Sequence, residues 1–290
     1  MPMRIFELEN NEYFNKPIFV FGSFETFHLG HNQLFLAAKE IKKQNYERDI
    51  VLVYFADVEN LPKNMNKGIF TNLNYRIQKM ANLGFLNAIE LNFKNIYNLE
   101  AEDFIKKLTY KYDEFTLVVG EDFKFGYKGK GNTTFLKENF PNNTFIVKEL
   151  KLENGNKIST SFIKECLLSG EIDLVNTLNM YKYGFDVSLN EKDDLIHISK
   201  VDNKLVSLKK GIYIAFLELN DYVYYVVYLN GDNKQIIKSL DYDLHLVDNF
   251  LGKIEILEKI RILVTNEKEE IDENDLFLAK NYFIKLNKNS

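Results

Sequence analysis

Two histidines three positions apart are the feature of this 290-residue sequence that most clearly could do chemistry. His28 and His31 flank Leu29 and Gly30, and the whole chain contains only four histidines. Where a helix begins, positions i and i+3 lie on one side of its first turn, beside free backbone N–H groups and the positive end of the helix dipole. The pair therefore predicts an anion site, with an accidental pair near a helix start as the alternative.

A glycine-rich, aromatic and basic stretch follows the apolar run of residues 115–119. Residues 120–131 read Gly-Glu-Asp-Phe-Lys-Phe-Gly-Tyr-Lys-Gly-Lys-Gly, a composition suited to holding a flat ring and a phosphate. The stretch is not a P-loop, because Gly131 is followed by Asn132 and Thr133 instead of Lys and Ser or Thr. A surface loop without function is the alternative for this stretch taken alone.

Three hydroxyl residues precede a later helical pattern. Ser159, Thr160 and Ser161 stand at its start, and Lys164 follows one turn further on. Such hydroxyls usually cap the first turn of a helix, which is the simpler interpretation. The lysine indicates a phosphate contact as well.

Together these stretches resemble one enzyme family. Residues 28–31 match the His-x-Gly-His signature of the nucleotidyltransferase superfamily, and the longer run 22–31 resembles the opening of bacterial FAD synthetases, the bifunctional riboflavin kinases/FMN adenylyltransferases. Residues 118–126 are similar to that family's Val-Gly-x-Asp-Phe-x-Phe-Gly, and residues 158–164 to its Ile-Ser-Ser-Thr-x-Ile-Arg. Three motifs in the right order make this resemblance specific.

The sequence departs from the family pattern at five positions. Glu25 replaces Asp and Ser161 replaces Thr, which keeps the chemistry, and Phe162 replaces a frequent Arg. Thr26 in place of Gly removes a permissive backbone position, and Lys164 in place of Arg exchanges a bidentate fork for a point charge. We therefore expect weaker ATP binding.

The resemblance implies an enzyme that transfers AMP from ATP to FMN, giving FAD and pyrophosphate. It implies that His28, His31 and Lys164 are catalytic, and that Mg²⁺ accompanies ATP through phosphate oxygens and water, with no protein metal site. The implied ATP contacts are Gly22, Ser23, Phe24, His28, Gly30, His31, Ser159, Thr160, Ser161 and Lys164. The implied flavin contacts are Asp122, Phe123, Phe125 and Gly126.

Alternating strand and helix patterns position these motifs. Apolar runs predict strands at 17–21, 50–55, 88–91, 115–119 and 144–147, and helical periods predict helices near 30–44, 71–83, 99–109, 132–140, 160–169 and 171–179. This alternation is typical of βαβ units on a parallel sheet. With the resemblance, it predicts a Rossmann-like nucleotidyltransferase domain over residues 1–182.

The pattern changes to closely spaced strands after residue 183. Strands are predicted at 184–189, 194–199, 212–219, 222–229, 235–239, 242–248 and 253–264, and a helix at 273–286. Such spacing favours an antiparallel barrel or sandwich. By the resemblance, residues 183–290 form a riboflavin-kinase-like antiparallel β-barrel with a C-terminal helix.

This barrel lacks the motif that the resemblance assigns to kinase chemistry. Kinase domains of the family carry a run ending in Gly-Phe-Pro-Thr-Ala-Asn, whose Thr and Asn hold Mg²⁺ and phosphates. Here all four prolines precede residue 182, and no Thr occurs between Thr177 and Thr265. Asp243 stands where the family has its Glu base and is one methylene shorter. We expect that riboflavin kinase activity has been lost.

Composition limits the partners. The net charge is −5 without any basic block, so nucleic acid and anionic membranes are not expected partners. The single Cys166 excludes an internal disulfide, and neither a membrane span nor a signal peptide is evident. We expect a cytoplasmic protein whose partners are ATP, FMN, FAD and pyrophosphate, and the sequence leaves its oligomeric state open.

Two alternative functions stay open on the sequence alone. Another nucleotidyltransferase of the superfamily would keep His28 and His31, but it would have no reason for the 118–126 stretch or the barrel. A protein that binds flavin without catalysis is the second alternative, and the departures at Thr26 and Lys164 suggest it.

Overall fold

The structure is a computed structural model of the chain, and it describes residues 2–10, 12–65, 67–193, 195–220, 222–241, 244, 250–264 and 267–288. Contacts divide the chain into two compact units. The first comprises Met1–Ile69 and Arg76–Thr160, and the second comprises Phe70–Tyr75 and Ser161–Ser290. The contacts thus group the segment that follows Thr160 with the barrel, and a domain boundary at residue 182 stays a prediction.

A parallel sheet of six strands forms the centre of the first unit, in the order β1-β4-β3-β2-β5-β8. A separate two-stranded ribbon joins β6 to β7. The strands are β1 (Arg4–Glu7), β2 (Ile18–Phe21), β3 (Ile50–Phe55), β4 (Asn87–Leu91), β5 (Thr116–Gly120), β6 (Lys124–Phe125), β7 (Gly131–Asn132) and β8 (Thr144–Val147).

Burial explains why these strands form. All four residues of β2 and the four central residues of β3 are buried. Continuous apolar runs of this kind are typical of parallel strands that are covered on both faces. The five predicted strands are confirmed with small shifts of their ends, whereas β1, β6 and β7 were not predicted.

Seven α-helices lie in the described part of the chain up to residue 178, and the last two of them belong to the second unit from Ser161 onward. The helix α1 buries Leu34, Phe35 and Ala38, which agrees with the apolar stripe in its sequence. The helices are α1 (Leu29–Gln44), α2 (Leu73–Asn82), α3 (Phe93–Ile96), α4 (Ala101–Thr109), α5 (Thr133–Asn139), α6 (Thr160–Ser169) and α7 (Ile172–Leu178).

The second unit contains a closed antiparallel barrel in the order β10-β13-β12-β11-β14-β9. The predicted strand 242–248 lies almost wholly outside the described residues, while the predicted fold class is confirmed. The elements are β9 (Gly184–Lys192), β10 (Leu195–Lys200), β11 (Gly211–Leu219), β12 (Tyr222–Asn230), β13 (Gln235–Ser239), β14 (Phe250–Ile262) and α8 (Glu273–Lys288).

The C-terminal helix α8 packs on the outside of this barrel. Ala279 and Phe283 are buried, and the ring of Phe283 stacks on Tyr225 of β12 with 4.2 Å between centroids. Asp275 accepts hydrogen bonds from the guanidinium of Arg261 on β14. Within the part of the chain that is described, no helix has both the length and the apolar character needed to span a membrane.

Candidate active site

The two motif-bearing loops leave the sheet from neighbouring strands. The chain runs from β2 to β3 on one side and later returns to β5 on the other side of β2, so the strand order reverses between β2 and β5. Open parallel sheets bind ligands outside the carboxyl ends of their strands at such a reversal. The histidine loop, residues 22–28, follows β2, and the glycine-rich loop follows β5. Both loops therefore lie at the crevice outside the carboxyl ends of these two strands.

His28 is the N-cap of α1. Its Nδ1 accepts a hydrogen bond of 3.2 Å from the backbone N–H of His31. The two imidazoles are nearly parallel, at 14°, with 3.8 Å between their centroids. The sequence prediction that the pair shares one side of the first turn of a helix is confirmed.

The hydrogen bonds of the two rings assign their tautomers. Since His28 accepts at Nδ1, the neutral ring carries its proton on Nε2. The Nδ1 of His31 lies 2.9 Å from the carbonyl oxygen of Thr26, which can only accept, so this ring carries its proton on Nδ1. Neutral His28 therefore offers an N–H at Nε2, whereas neutral His31 offers a lone pair there.

Burial keeps both rings neutral in the ligand-free protein. Burial is the main cause that lowers the pKa of His28 to about 4, the charges of Lys63 and Lys157 contribute to this lowering, and Asp122 opposes it. Burial also lowers the pKa of His31 well below its ordinary value, and His28 adds to this effect. His31 must therefore take up a proton before it can donate to a phosphate from Nε2.

The lowered pKa of His28 makes stability depend on pH. Below pH 6.5 the unfolded chain binds a proton at this residue and the folded protein does not, so stability is complete above pH 6.5 and declines as the pH falls toward 4. We expect His28 alone to lower the free energy of unfolding by about 2 kcal/mol between pH 6.5 and pH 5.

Urea unfolding at these two pH values measures this loss. The matched variant is His28→Asn, since asparagine is also a good N-cap residue. The variant should lose less stability than the wild type over the same pH interval. Equal losses in both proteins would contradict the role given to His28.

The buried side chain of Phe24 packs against the histidine pair. Its ring is fully buried and lies 4.8 Å from the ring of His31 and 5.4 Å from that of Phe27. Its backbone is left-handed, with a φ of 45°, which is uncommon for a bulky residue. The buried Arg76 donates to the carbonyl oxygens of Phe24 and Ala56. Any contact of Phe24 with ATP therefore has to come from its backbone.

Thr26 does not need the backbone freedom of glycine. The left-handed residue of this loop is Phe24, and Thr26 is not among the described residues with positive φ. The Thr26 hydroxyl instead forms a buried hydrogen bond of 2.9 Å with the hydroxyl of Thr160. The side chain of Thr26 thus joins the histidine loop to Thr160, and the weaker ATP binding expected from this departure stays a prediction.

Gly30 leaves space for the imidazole of His28. A Cβ at this position would lie 3.0 Å from two atoms of that ring. A side chain at Gly30 would therefore press directly on the ring of His28, which explains a glycine between the two histidines.

The two phenylalanines of the second motif differ in their surroundings. Phe125 belongs to the hydrophobic core and lies 5.9 Å from the rings of both Phe104 and Phe135. Phe123 is half-buried and stacks on Phe125 at 5.2 Å. Of the two, Phe123 is the better candidate to contact a flavin, and Phe125 anchors the loop.

Two features of the structure favour glycine at position 126: a left-handed backbone and the closeness of a neighbouring helix. Its φ is +71°, and a Cβ would lie 2.7 Å from the backbone N and Cα of Ala101, the first residue of α4. We expect Gly126→Ala to lower the free energy of unfolding by about 2–4 kcal/mol, from left-handed strain together with the clash.

The control is Gly155→Ala, because Gly155 has a φ of +84° and no atom within 4 Å of its Cβ position. In this variant the free energy of unfolding should fall only by the cost of the left-handed backbone, without a steric clash. Chemical denaturation of both variants gives the comparison, and equal destabilisation would show that the contact with Ala101 relaxes freely.

Lys157 contacts the second motif, which the sequence did not predict. Its ammonium forms ion pairs with Asp122 of the second motif and with Glu149. The residue directly precedes the third motif, and that position is the only signal that the sequence offered. The carboxylate of Asp122, an expected flavin contact, is thus held by a neighbouring cation.

The third motif begins α6, as its hydroxyl residues suggested. Ser159 and Thr160 belong to the first compact unit, and Ser161 and Lys164 to the second. Lys164 lies one turn inside the helix and is buried. The contacts of Ser159, Ser161 and Lys164 with ATP stay predictions.

A parallel α/β sheet with the start of a helix at its strand reversal is typical of nucleotide-binding proteins. The sequence model of the FAD synthetase family matches residues 10–162. A bifunctional riboflavin kinase/FMN adenylyltransferase of Buchnera aphidicola subsp. Schizaphis graminum is 30% identical over 234 residues, which are 74% of this chain and 70% of that protein. The chain therefore belongs to the FAD synthetase family.

Further relatives agree with this assignment. A bifunctional riboflavin kinase/FMN adenylyltransferase of Listeria monocytogenes is 25% identical over 252 residues, covering 82% of this chain and 76% of that protein. The crystal structure of a macrolide-efflux protein from Streptococcus pneumoniae matches with a TM-score of 0.77 over 97% of both chains at 18% identity, which shows the fold alone. The family uses ATP and FMN to form FAD, and the chain is a transferase of this class.

Proposed function

We propose that this protein transfers AMP from ATP to FMN at the crevice beyond β2 and β5. A phosphate oxygen of FMN attacks the α-phosphorus of ATP in line, the bond to the bridging oxygen breaks, and pyrophosphate leaves with its electron pair. No covalent enzyme intermediate is needed, so catalysis consists of positioning and of neutralising spreading charge. The observation that carries the proposal is the His28 and His31 pair at the start of α1.

The two histidines have different parts in this proposal. Neutral His28 donates from Nε2 to an α-phosphoryl oxygen as charge develops there, without changing its protonation. His31 takes up a proton when the negative triphosphate raises its pKa, and it then donates as well. Lys164 and the hydroxyls of Ser159, Thr160 and Ser161 bind the leaving pyrophosphate, as the family motif implies.

The flavin lies against the second motif in this proposal. Phe123 packs on the flavin ring, Asp122 accepts a hydrogen bond from the ring or a ribose hydroxyl, and Gly126 keeps the loop in place. Gly22, Ser23, Phe24 and Gly30 contact ATP through the backbone of the histidine loop or through a small side chain.

Magnesium enters the proposed reaction together with ATP. Among the described residues, no group of three or more His, Cys, Asp or Glu side chains is placed to hold a metal ion. Mg²⁺ is a hard ion that keeps much of its water and prefers phosphate oxygens, so it suits this crevice as the partner of the triphosphate. Bound there, it neutralises phosphate charge.

The test is to incubate the protein with FMN, ATP and Mg²⁺ and to look for FAD. Nicotinamide mononucleotide and pantetheine phosphate, offered side by side with FMN, distinguish the other nucleotidyltransferases of the superfamily. A melting temperature that rises with FMN and does not respond to ATP with Mg²⁺, without any FAD formed, would favour a protein that binds flavin and does not catalyse.

We further propose that the barrel has no riboflavin kinase activity. The family's kinase motif would lie between the first barrel strands, but here the interval from Gly184 to Gly211 holds the polar stretch 190–204, and β9 and β10 pair antiparallel up to Lys192 and Leu195. Tyr183, Tyr213 and Tyr228 are fully buried in the same unit. Asp243, at the position of the family's base, lies outside the described residues. In this proposal the catalytic domain comprises residues 1–182, and the barrel over residues 183–290 has a structural role. The protein acts in the cytoplasm, and another enzyme makes its FMN.

A further inference from the structure

The side of the C-terminal helix α8 that faces away from the barrel carries large apolar side chains. Phe277 is 63% exposed and Ile284 is 52% exposed, and the two residues lie seven positions apart on one side of the helix. This side is opposite to the one that packs on the barrel through Ala279 and Phe283. Apolar groups aligned along an exposed helix face indicate an interaction surface.

The two ends of this helix side carry opposite charges. Glu273 lies in the first turn of α8 and Lys288 is its last residue, and both side chains are exposed. At 3.6 residues per turn, both lie on the same side of the helix as Phe277 and Ile284. We call these four residues the outer face. Along the helix, the outer face therefore presents an acid, two apolar groups and a base.

The helix is fixed in place on its inner side. Arg261 of β14 donates to the carboxylate of Asp275. Asp272 and Asp275 each accept the backbone N–H of the other, at 2.8 and 3.0 Å. The ring of Phe283 stacks on Tyr225 of β12. Because α8 is already ordered, a partner does not have to order it on binding, which removes one cost of association.

A second copy of α8 complements the outer face when the two helices run antiparallel. Phe277 and Ile284 are centred on the same point of the helix as Glu273 and Lys288. When Phe277 of one copy faces Ile284 of the other, Glu273 therefore faces Lys288 at both ends of the pair. Such an arrangement has two-fold symmetry, so each of these contacts occurs twice.

We propose that the outer face of α8 joins two copies of this chain into a dimer with antiparallel helices. A parallel pair would place Glu273 against Glu273 and Lys288 against Lys288, so the charges select the antiparallel pair. Lys280 flanks the middle of the face and is exposed, so its long side chain extends into solvent. The dimer does not depend on the reaction proposed for the crevice.

The size of the face sets the expected affinity. One pair of 16-residue helices with two large apolar groups each buries less surface than a standard protein interface. We therefore expect a weak dimer with a dissociation constant of about 10–100 μM.

The first experiment measures the dimer by sedimentation of the full chain over a series of concentrations. We expect Phe277→Glu to weaken the dimer by about 30-fold or more, because a charge would be buried in both halves of the interface. Ile284→Glu should act in the same way, and it replaces Phe277→Glu if that variant does not fold. The control is Tyr110→Glu, since Tyr110 ends α4 in the first unit and is 76% exposed.

The second experiment tests the antiparallel pairing through its charges. In Glu273→Lys alone, lysine faces Lys288, and in Lys288→Glu alone, glutamate faces Glu273. We expect each variant by itself to form a dimer about fivefold weaker than that of the wild type. An equimolar mixture of the two variants restores opposite charges at both ends, so it should dimerise about as well as the wild type.

Three results would overturn the inference. The first is a wild type that stays monomeric at about 300 μM, well above the expected dissociation constant. The second is equal dimerisation of Phe277→Glu and Tyr110→Glu when melting temperatures show that both are folded. The third is a mixture of the two charge variants that is no more dimeric than each variant alone, because the antiparallel pairing requires recovery.

Discussion

Replacing His28 by asparagine is expected to lower kcat/KM for FAD formation by about 100- to 1,000-fold, the usual loss of one oriented donor to developing charge. Asparagine can still accept the backbone N–H of His31, so the cap on α1 survives. It cannot place a donor where Nε2 of His28 lies. The fold should therefore persist while stabilisation of the transition state is lost.

Steady-state kinetics and a thermal melt of the same preparation check this expectation. His28→Gln is the informative companion, because its longer side chain carries an amide N–H toward the former position of Nε2. The glutamine variant should keep more activity than the asparagine variant. An asparagine variant with kcat/KM close to that of the wild type would remove His28 from the mechanism.

Riboflavin supplied with ATP and Mg²⁺ is expected to yield FMN at a rate at least about 1,000-fold below the rate of FAD formation from FMN. Phosphoryl transfer depends on charges held around the γ-phosphate, above all a positioned metal ion. No Thr occurs between Thr177 and Thr265, so the family's Gly-Phe-Pro-Thr-Ala-Asn motif is absent, and the interval from Gly184 to Gly211 where it would lie holds β9, β10 and the polar stretch 190–204.

The same preparation with FMN in place of riboflavin is the control, since it shows that the protein and its ATP are active. Product analysis by chromatography distinguishes FMN from FAD. FMN or FAD appearing from riboflavin at a rate comparable to the control reaction would show that the barrel has a kinase site built from other residues.

The motifs and the main strands could be predicted because their signals are local. A strand such as β3 is a continuous apolar run, and the histidine pair lies within four residues of chain. The strand β1 was missed because two of its four residues, Arg4 and Glu7, are charged and exposed, so its hydrophobic pattern is weak.

Some contacts of the two motif-bearing loops could not be predicted because they join distant positions of the chain. Lys63 meets Ser23 from 40 positions away, and Lys157 meets Asp122 from 35 positions away. In a sequence rich in lysine, neither residue differs visibly from a solvent-exposed cation. The tautomers of His28 and His31 likewise follow only from which atoms accept their hydrogen bonds.

The left-handed backbone of Phe24 could not be predicted from the sequence either. Its left-handed backbone is held by the guanidinium of Arg76, which lies 52 positions further along the chain and donates to the Phe24 carbonyl oxygen. Thr26, which replaces the family's glycine, is not among the described residues with a positive φ. A family pattern thus locates a loop, but the distribution of strain within it depends on packing.

Closure of the barrel restricts how the second unit can meet other molecules. Each of its six described strands has a neighbour on both sides, although β10 and β13 pair at only two positions, so none of these strands is an edge strand along its whole length. Closure therefore disfavours the addition of a peptide as a further strand, which is a common mode of protein recognition. Any association through the barrel has to be made by side chains, and substitutions on its surface can alter such contacts without disturbing the backbone pairing beneath.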